Sequence, residues 1–285
     1  MRQIYVNGEF LAEEDARIPV MDRGFLFGDA IYEVTAMVDG HLIDNDLHLA
    51  RFNRSLAELG IPLPLPLAEV RAMQRELVRR NAMTDGTIYL QVTRGVAERN
   101  FLPEAGLVPT FVAFTQPKRL YDTPAQREGI SVALMHDSRW ARRDIKTVML
   151  LGQVLAKQAA TEAGFGDVWL FEDGHITEGA SSTAFIVTRE GAIVTRPNSH
   201  AILPGCTRRA VMALVEAGGL ALEERAFTVA EAEAAAEAFL TSASSLVMPV
   251  VRIGPAQIGD GRPGPVTRKL QEIYLATARK CEKII

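Results

Sequence analysis

The chain has 285 residues and a net charge of −4 at pH 7, and its composition is 48% hydrophobic and 23% charged. This length fits two domains that bury about three quarters of the unfolded surface without a disulfide or a structural metal. The acidic balance argues against nucleic acid as a partner, and no apolar run approaches the ~20 residues that span a membrane. Because the chain has only two cysteines and a polar N-terminus untypical of a signal peptide, we expect a cytoplasmic protein.

The first part of the chain predicts hairpins, helices and strands in turn. Asn7-Gly8 and Asp39-Gly40 each lie between two apolar runs and predict two β-hairpins. Two helical and two strand patterns then follow, at about 46–59, 67–82, 87–95 and 110–116. Two prolines and mixed charges at 117–124 indicate a linker. We therefore predict an N-terminal domain over residues 1–118, a linker over 119–123, and a C-terminal domain over 124–285.

The second part also mixes helices and strands. The patterns predict a strand near 131–135, a helix over 148–163, two paired-strand units at 167–179 and 184–196, a helix from about Cys206, an exposed alanine-rich helix within 229–239, and a last helix over 265–281. Strands and helices do not alternate as they do in a doubly wound sheet, and no dinucleotide fingerprint or phosphate-binding loop of the GxxxxGK type occurs. The pattern is typical of mixed α/β and α+β units with much antiparallel pairing.

Lys146 stands directly before the apolar run 147–156, and Arg142 and Arg143 precede it. Burial and nearby positive charge can turn a lysine into a nucleophile or base. Taken alone, however, the pattern favours an ordinary surface lysine, because lysine is mostly exposed.

Three further motifs have both an ordinary and a functional interpretation. Glu178 ends a predicted strand before Gly179, so it either belongs to a turn or is a carboxylate that pairs with a protonated ring nitrogen. Thr207 is either a helix N-cap or, with Cys206, part of an anion site at a helix start. The small-residue break at 240–250 is either a loop or a nest of backbone N–H groups.

Eight motifs occur in an order that matches a known family: DRGFLFGDAIYEV (22–34), HLARFNRSL (48–56), LQVTRG (90–95), DIKTVMLLGQVLAKQ (144–158), ITEGASSTAF (176–185), ILPGCTR (202–208), LTSASS…MPV (240–250) and TRKLQ (267–271). Together they resemble the fold-type IV pyridoxal-5′-phosphate (PLP) enzymes, and most of all the D-amino-acid (D-alanine) aminotransferases. The resemblance implies an α/β (mixed α+β) fold of two domains, a smaller N-terminal α/β sandwich and a larger C-terminal pseudo-barrel.

The resemblance also implies how PLP is held. Lys146 would bind it as a Schiff base and carry a proton during the reaction, and Glu178 would keep the pyridine nitrogen protonated. The other implied cofactor-binding residues are Arg51, Ser182, Leu203, Cys206, Thr207, Ser242, Ala243 and Ser244. Relatives commonly have a phosphate-binding threonine where this chain has Ala243, whose backbone N–H can still donate.

For the substrate, the resemblance implies contacts with Tyr32, Arg99 and Phe101. Arg99 would bind the carboxylate in the neighbouring subunit's site, which implies a homodimer. Phe101 stands where the family has a histidine, so one hydrogen-bond donor is replaced by an apolar ring. The expected activity is ping-pong transamination between D-amino acids and 2-oxo acids, such as D-alanine and 2-oxoglutarate. The alternatives are a branched-chain L-amino-acid aminotransferase, aminodeoxychorismate lyase, and a non-catalytic PLP-binding relative.

Overall fold

The computed structural model describes all 285 residues, which form two compact units. Unit 1 comprises Met1–Arg119, Ile145–Met149 and Ala278–Ile285, and unit 2 comprises Leu120–Asp144 and Leu150–Thr277. The predicted domains divide the chain once, at the linker 119–123. In the structure, two short later segments, Ile145–Met149 and Ala278–Ile285, also belong to unit 1. None of the helices is both long enough and apolar enough to cross a membrane.

Unit 1 contains one antiparallel sheet and three helices. Its strands are β1 (Gln3–Val6), β2 (Glu9–Ala12), β3 (Ala30–Val38), β4 (His41–Leu42), β5 (Gly86–Thr93) and β6 (Thr110–Pro117), and its helices are α1 (Arg23–Phe27), α2 (Asn45–Leu59) and α3 (Leu67–Asn81). The strand order in the sheet is β2-β1-β6-β5-β3-β4. Both predicted hairpins are confirmed, because Asn7, Gly8, Asp39 and Gly40 all have the positive φ that a type I′ turn requires.

The core of unit 1 lies between its sheet and its helices. Phe52 of α2 and Leu77 of α3 are buried in one cluster with Ile31 of β3 and Ile88 of β5. Side chains alternate along a strand, so every second residue of β3 points towards the helices and its neighbours point to the other face. This alternation puts Glu33 on the helix side and Tyr32 on the opposite side.

Unit 2 contains a nine-stranded sheet. Its strands are β7 (Ile130–His136), β8 (Asp167–Glu172), β9 (His175–Gly179), β10 (Thr183–Val187), β11 (Ile193–Thr195), β12 (Leu222–Glu224), β13 (Glu237–Ser242), β14 (Leu246–Ile253) and β15 (Ala256–Gln257), and its helices are α4 (Pro124–Glu128), α5 (Leu151–Glu162), α6 (Cys206–Ala217), α7 (Val229–Glu233) and α8 (Pro265–Ala278), which ends in unit 1.

The sheet of unit 2 curls round on itself. Its order is β12-β11-β10-β13-β14-β7-β8-β9, which separates β9 from β10 by five strand spacings, or about 24 Å in a flat sheet. Yet the chain from Gly179 to Thr183 reaches at most about 14 Å. The Gly179 N–H also donates to the Ser182 carbonyl (2.7 Å). Only a curled sheet brings the two strands this close, as the predicted pseudo-barrel requires.

Two predicted elements differ from the structure. The helix predicted over 148–163 begins only at Leu151, because residues 146–148 pair with β3 instead. The exposed helix predicted within 229–239 is limited to α7, and Glu237 already begins β13. Phe239 is fully buried there, so packing in the sheet overrides the helix propensity of the alanines.

Candidate active site

Lys146 lies in an extended segment that adds to the sheet of unit 1. The Tyr32 N–H donates to the Lys146 carbonyl (2.9 Å), and the Val148 N–H donates to the carbonyl of Ala30 (3.2 Å). The Lys146 side chain is half-buried, and its Nζ lies 4.0 Å from the centroid of the Tyr32 ring. At this distance the ring face attracts a cation. The structure thus brings together two of the predicted site residues, Lys146 and Tyr32.

Tyr32 belongs to a row of aromatic rings on the side of the sheet that faces away from the helices. Its ring stacks on Tyr89 with centroids 5.5 Å apart, and Tyr89 stacks on Phe114 at 4.6 Å. The Tyr89 hydroxyl donates to Oε1 of Gln91 (2.8 Å), and burial raises the pKa of Tyr89 far above its ordinary value. The row therefore holds the Tyr32 ring in one orientation against Lys146.

Arg51 is buried on α2, where it is paired with a carboxylate. Its Nε donates to Oε2 of Glu33 (2.9 Å) and its Nη2 donates to Oε1 (2.6 Å). Nδ1 of His48 lies 2.9 Å from the same Oε1. Burial alone would raise the pKa of Glu33, but Arg51 and His48 outweigh burial and hold it well below its usual range. Neither Glu33 nor His48 was among the predicted site residues.

Arg99 lies on an exposed loop of unit 1. Its guanidinium carbon lies 5.5 Å from the Phe27 ring centroid and 5.8 Å from that of Phe101, which is 81% exposed. Arg23 fixes the backbone of this loop, because it donates to the carbonyls of Asn100 (2.6 Å) and Phe101 (3.2 Å). The structure thus places Arg99 and Phe101 side by side on this loop.

Glu178 ends β9 in unit 2 and is almost fully buried. Its carboxylate accepts hydrogen bonds from Nη1 of Arg139 (2.7 Å) and from the backbone N–H of Leu203 (3.1 and 3.2 Å to its two oxygens). Burial raises the pKa of Glu178, and Arg139 and the Leu203 amide oppose this rise. Two predicted site residues, Glu178 and Leu203, are thus in direct contact.

Arg139 is itself held by a second carboxylate. Its Nε donates to Oδ1 of Asp137 (2.9 Å) and its Nη2 donates to Oδ2 (2.8 Å), while the Thr177 hydroxyl donates to the same Oδ2 (2.7 Å). Burial would raise the pKa of Asp137, but Arg139 outweighs it, so the net shift is downward. The result is a buried row of alternating charges that ends at Glu178.

Helix α6 begins with two of the predicted residues. Cys206 and Thr207 are buried in its first turn, and its N-cap is Gly205, which has no side chain to cap the helix. The first N–H groups of a helix have no partner within the helix and carry partial positive charge, so they can bind an anion. A Cβ on Gly205 would meet Oγ1 of Thr183 at 2.8 Å, so glycine allows the close approach here. The N-cap interpretation of Thr207 is wrong.

The remaining predicted residues of unit 2 are three serines, Ser182, Ser242 and Ser244, and Ala243. The Ser182 Oγ is buried and has no hydrogen-bond partner. The Ser242 hydroxyl lies 3.3 Å from that of Ser244 and 2.6 Å from that of Ser245, in the break between β13 and β14 next to Ala243. An unpartnered buried hydroxyl is costly unless a ligand or water completes its bonding.

Comparison with known proteins identifies the family of this chain. Residues 30–253 match the model of the family described as amino-transferase class IV. The chain belongs to this family. A D-alanine aminotransferase of Staphylococcus haemolyticus is 40% identical over 275 residues, 95% of this chain and 96% of that protein. One of Bacillus licheniformis is 40% identical over 269 residues, 94% of each.

Solved structures of class IV aminotransferases are also similar to this chain. A branched-chain amino acid aminotransferase of Escherichia coli superposes with a TM-score of 0.91 at 25% identity, covering 99% of this chain and 96% of that one. The T.th. branched-chain enzyme with pyridoxamine 5′-phosphate gives a TM-score of 0.90 at 25% identity, covering 99% and 95%. These matches confirm the predicted family and the predicted fold class.

The cofactor and substrate roles assigned to individual residues stay predictions for this class IV aminotransferase. Arg142 and Arg143 are not unbalanced charges, because Arg142 pairs with Asp144 (3.0 Å) and Arg143 pairs with Glu172 (2.9 Å). Arg139, Asp137, Glu33 and His48 were not predicted. Of these, only Glu33 stands in an apolar stretch, AIYEVTAMV (30–38), and a charged residue there was the one available signal.

Proposed function

We propose that this protein is a PLP-dependent transaminase that exchanges amino groups between D-amino acids and 2-oxo acids, with D-alanine and 2-oxoglutarate as the favoured pair, by a ping-pong mechanism. The observation that carries this proposal is the 40% identity to D-alanine aminotransferases over nearly the whole chain. The cytoplasm remains the proposed location, supported by the low cysteine content.

The predicted cofactor-binding residues suit the chemical groups of PLP. The uncapped start of α6 suits a phosphate group, and the unpartnered Ser182 hydroxyl suits a polar ligand. Lys146 would hold the cofactor aldehyde covalently, and Glu178 would accept a hydrogen bond from its ring nitrogen. Leu203 would pack against the ring, and the phosphate would be held by Arg51, Cys206, Thr207, Ser242, Ala243 and Ser244.

PLP, when bound, withdraws electrons from the substrate Cα and carries the amino group from the donor to the acceptor. The protein's own residues perform the other tasks. Once the substrate amine has displaced it from the cofactor aldehyde, the free Lys146 amine would take the proton from the substrate Cα. Arg139 favours the ionised form of Glu178, and the negative charge of this carboxylate beside the ring nitrogen would favour the protonated form of that nitrogen. Tyr32, fixed by its aromatic row, would orient the Lys146 side chain.

Substrate selection would depend on the exposed loop of unit 1. A planar guanidinium binds a carboxylate with two parallel hydrogen bonds, so Arg99 suits the carboxylate of an amino acid. Phe101 beside it would offer an apolar wall. We propose that Arg99 acts on the site of a second subunit in a homodimer. Several large apolar side chains are strongly exposed and support such an interface: Phe25, Phe101, Leu102, Val108, Leu151 and Val154.

A second candidate is a branched-chain L-amino-acid aminotransferase. The two solved structures compared above, with TM-scores of 0.91 and 0.90, are branched-chain amino acid aminotransferases, although each shares only 25% sequence identity with this chain. Fold alone does not fix the substrate. The higher identity to D-alanine aminotransferases therefore decides for the first candidate.

The test is incubation with 2-oxoglutarate and D-alanine, L-alanine or L-leucine, followed by chiral analysis of the glutamate formed. The proposal predicts pyruvate and D-glutamate from D-alanine only. L-glutamate from L-leucine would support the branched-chain alternative. No product from any of the three donors would favour aminodeoxychorismate lyase activity. Lys146→Ala should abolish the activity, and the control Lys157→Ala should retain it, because Lys157 is an exposed lysine paired with Asp167.

A further inference from the structure

Glu33 is the most completely hydrogen-bonded buried carboxylate of unit 1, and the proposed reaction does not use it. Its side chain has no exposed surface. Oε2 accepts from Nε of Arg51 (2.9 Å), and Oε1 accepts from Nη2 of Arg51 (2.6 Å) and from the Val34 N–H (2.9 Å). Because an ionised Glu33 has no proton to give, Nδ1 of His48 donates to Oε1 as well (2.9 Å).

The sequence positions explain how these groups meet. Glu33 is on the helix-facing side of β3. His48 and Arg51 are three residues apart on α2, so their side chains project from the same face of that helix. Removing a carboxylate and a guanidinium from water is expensive, and good hydrogen-bond geometry on both partners is needed to offset it. The buried Glu33–Arg51 pair is therefore costly in free energy, and its hydrogen bonds are needed to offset that cost.

The arrangement fixes the plane of the Arg51 guanidinium. A guanidinium is rigid, and its five N–H groups point in fixed directions. Two parallel bonds to Glu33 along the Nε–Nη2 edge determine both the position and the rotation of the whole group. An arginine that has to be ordered when its ligand binds loses much side-chain freedom, whereas one held in advance does not.

We propose that Glu33, itself held by His48, is a positioning residue that orients the Arg51 guanidinium for the phosphate group of the cofactor before the cofactor arrives. This inference rests on the proposed function and deepens it, since it assigns a role in cofactor affinity to two residues outside the predicted site. A purely structural Glu33 would only neutralise the charge of Arg51. Its removal would then leave phosphate affinity unchanged or higher, because the local positive charge would grow.

The substitution Glu33→Gln separates the two roles. It keeps the shape of the side chain but replaces one acceptor oxygen by an NH2 group, which must face an N–H donor of Arg51 or His48. The guanidinium then loses at least one of its two anchors. The readout is the dissociation constant of the apoprotein for PLP and for pyridoxal, which lacks the phosphate, followed by absorbance.

We expect Glu33→Gln to weaken PLP binding at least tenfold and pyridoxal binding less than threefold. The control is Glu237→Gln, another buried carboxylate that accepts three hydrogen bonds, from the Val266 N–H and from the N–H and hydroxyl of Thr267. It should change neither constant. In an Arg51→Ala background, Glu33→Gln should cause no further loss of PLP affinity.

His48 provides a second, milder test should Glu33→Gln fail to fold. The side-chain amide introduced by His48→Asn can place an N–H where Nδ1 lies, so this variant should bind PLP nearly as well as the wild type. His48→Leu should bind PLP several-fold more weakly, with pyridoxal binding unaffected. Three results would overturn the proposal. The first is an equal loss of affinity for PLP and for pyridoxal, and the second is unchanged or tighter PLP binding in Glu33→Gln or His48→Leu. The third is a loss of PLP affinity in Glu33→Gln that adds to that of Arg51→Ala. A wild type that does not bind PLP would instead overturn the proposed function itself.

Discussion

Removing Arg139 should destabilise unit 2, and the loss should grow with pH. Arg139→Leu leaves Asp137 and Glu178 buried and facing each other without the cation that bonds to both. Breaking a buried ion pair by deleting one partner costs about 3–5 kcal/mol. We expect a loss of that order at pH 8 in the apoprotein.

The pH dependence follows from Glu178. Burial already raises its pKa above the ordinary value of 4.5, and Arg139 opposes the rise, so the pKa rises further in the variant. A carboxyl group whose pKa is raised by folding contributes stability that is present at low pH and is lost as the pH rises through the folded pKa. Each pKa unit corresponds to about 1.4 kcal/mol. The destabilisation should therefore be at least about 1 kcal/mol smaller at pH 5 than at pH 8.

Urea unfolding followed by tryptophan fluorescence measures this effect selectively, because both tryptophans, Trp140 and Trp169, lie in unit 2. The control is Arg225→Leu. Arg225 pairs with Glu223 and Glu231 at the surface, where such pairs contribute about 0–1 kcal/mol. A loss below about 1 kcal/mol for Arg139→Leu, or an equal loss at pH 5 and pH 8, would refute the reasoning.

Three further predictions concern the cofactor, the substrate and acid stability. Thr207→Val should raise the dissociation constant for PLP at least about tenfold, since a hydrogen bond to a charged group contributes about 1.5–3 kcal/mol. Thr207→Ser should restore the affinity, and equal affinity in all three proteins would contradict the role of the hydroxyl. Arg99→Ala should raise the KM for D-alanine at least tenfold without weakening PLP binding. The control Arg189→Ala, at an exposed arginine, should change neither the KM nor PLP binding. An unaltered KM in Arg99→Ala would mean that another residue binds the substrate carboxylate. Folding holds the pKa of Glu33 below its ordinary 4.5, so its contribution to stability is present above about pH 4.5 and is lost as the pH falls further. Glu33→Gln should therefore be less stable than the wild type at pH 7 by urea unfolding, with a smaller difference at pH 3, and a difference that does not shrink would contradict this.

Local signals were sufficient to predict most of the fold. The Asn-Gly and Asp-Gly turns between apolar runs predicted the hairpins, because few residues other than glycine, asparagine and aspartate adopt positive φ readily. Helix α5 was extended too far towards its N-terminus because residues 146–148 bond to β3, a strand more than a hundred residues earlier in the chain. No local pattern contains that information.

The candidate site was predictable only in part for the same reason. Lys146, Glu178 and Thr207 belong to motifs that can be compared with a family. Arg139 and Glu178 are 39 residues apart, and Glu33 and Arg51 are 18 apart, so their pairing depends on tertiary structure. The pairing of the residues that orient the proposed cofactor ligands therefore has no signature in the neighbouring sequence.

The most direct test of the whole account is to treat the purified holoprotein with sodium borohydride, digest it, and locate the pyridoxyl group by mass spectrometry. We predict that the group is found on the peptide that contains Lys146 and on no other lysine. A pyridoxyl group on a different residue, or none at all after reduction in the presence of excess PLP, would contradict the central claim.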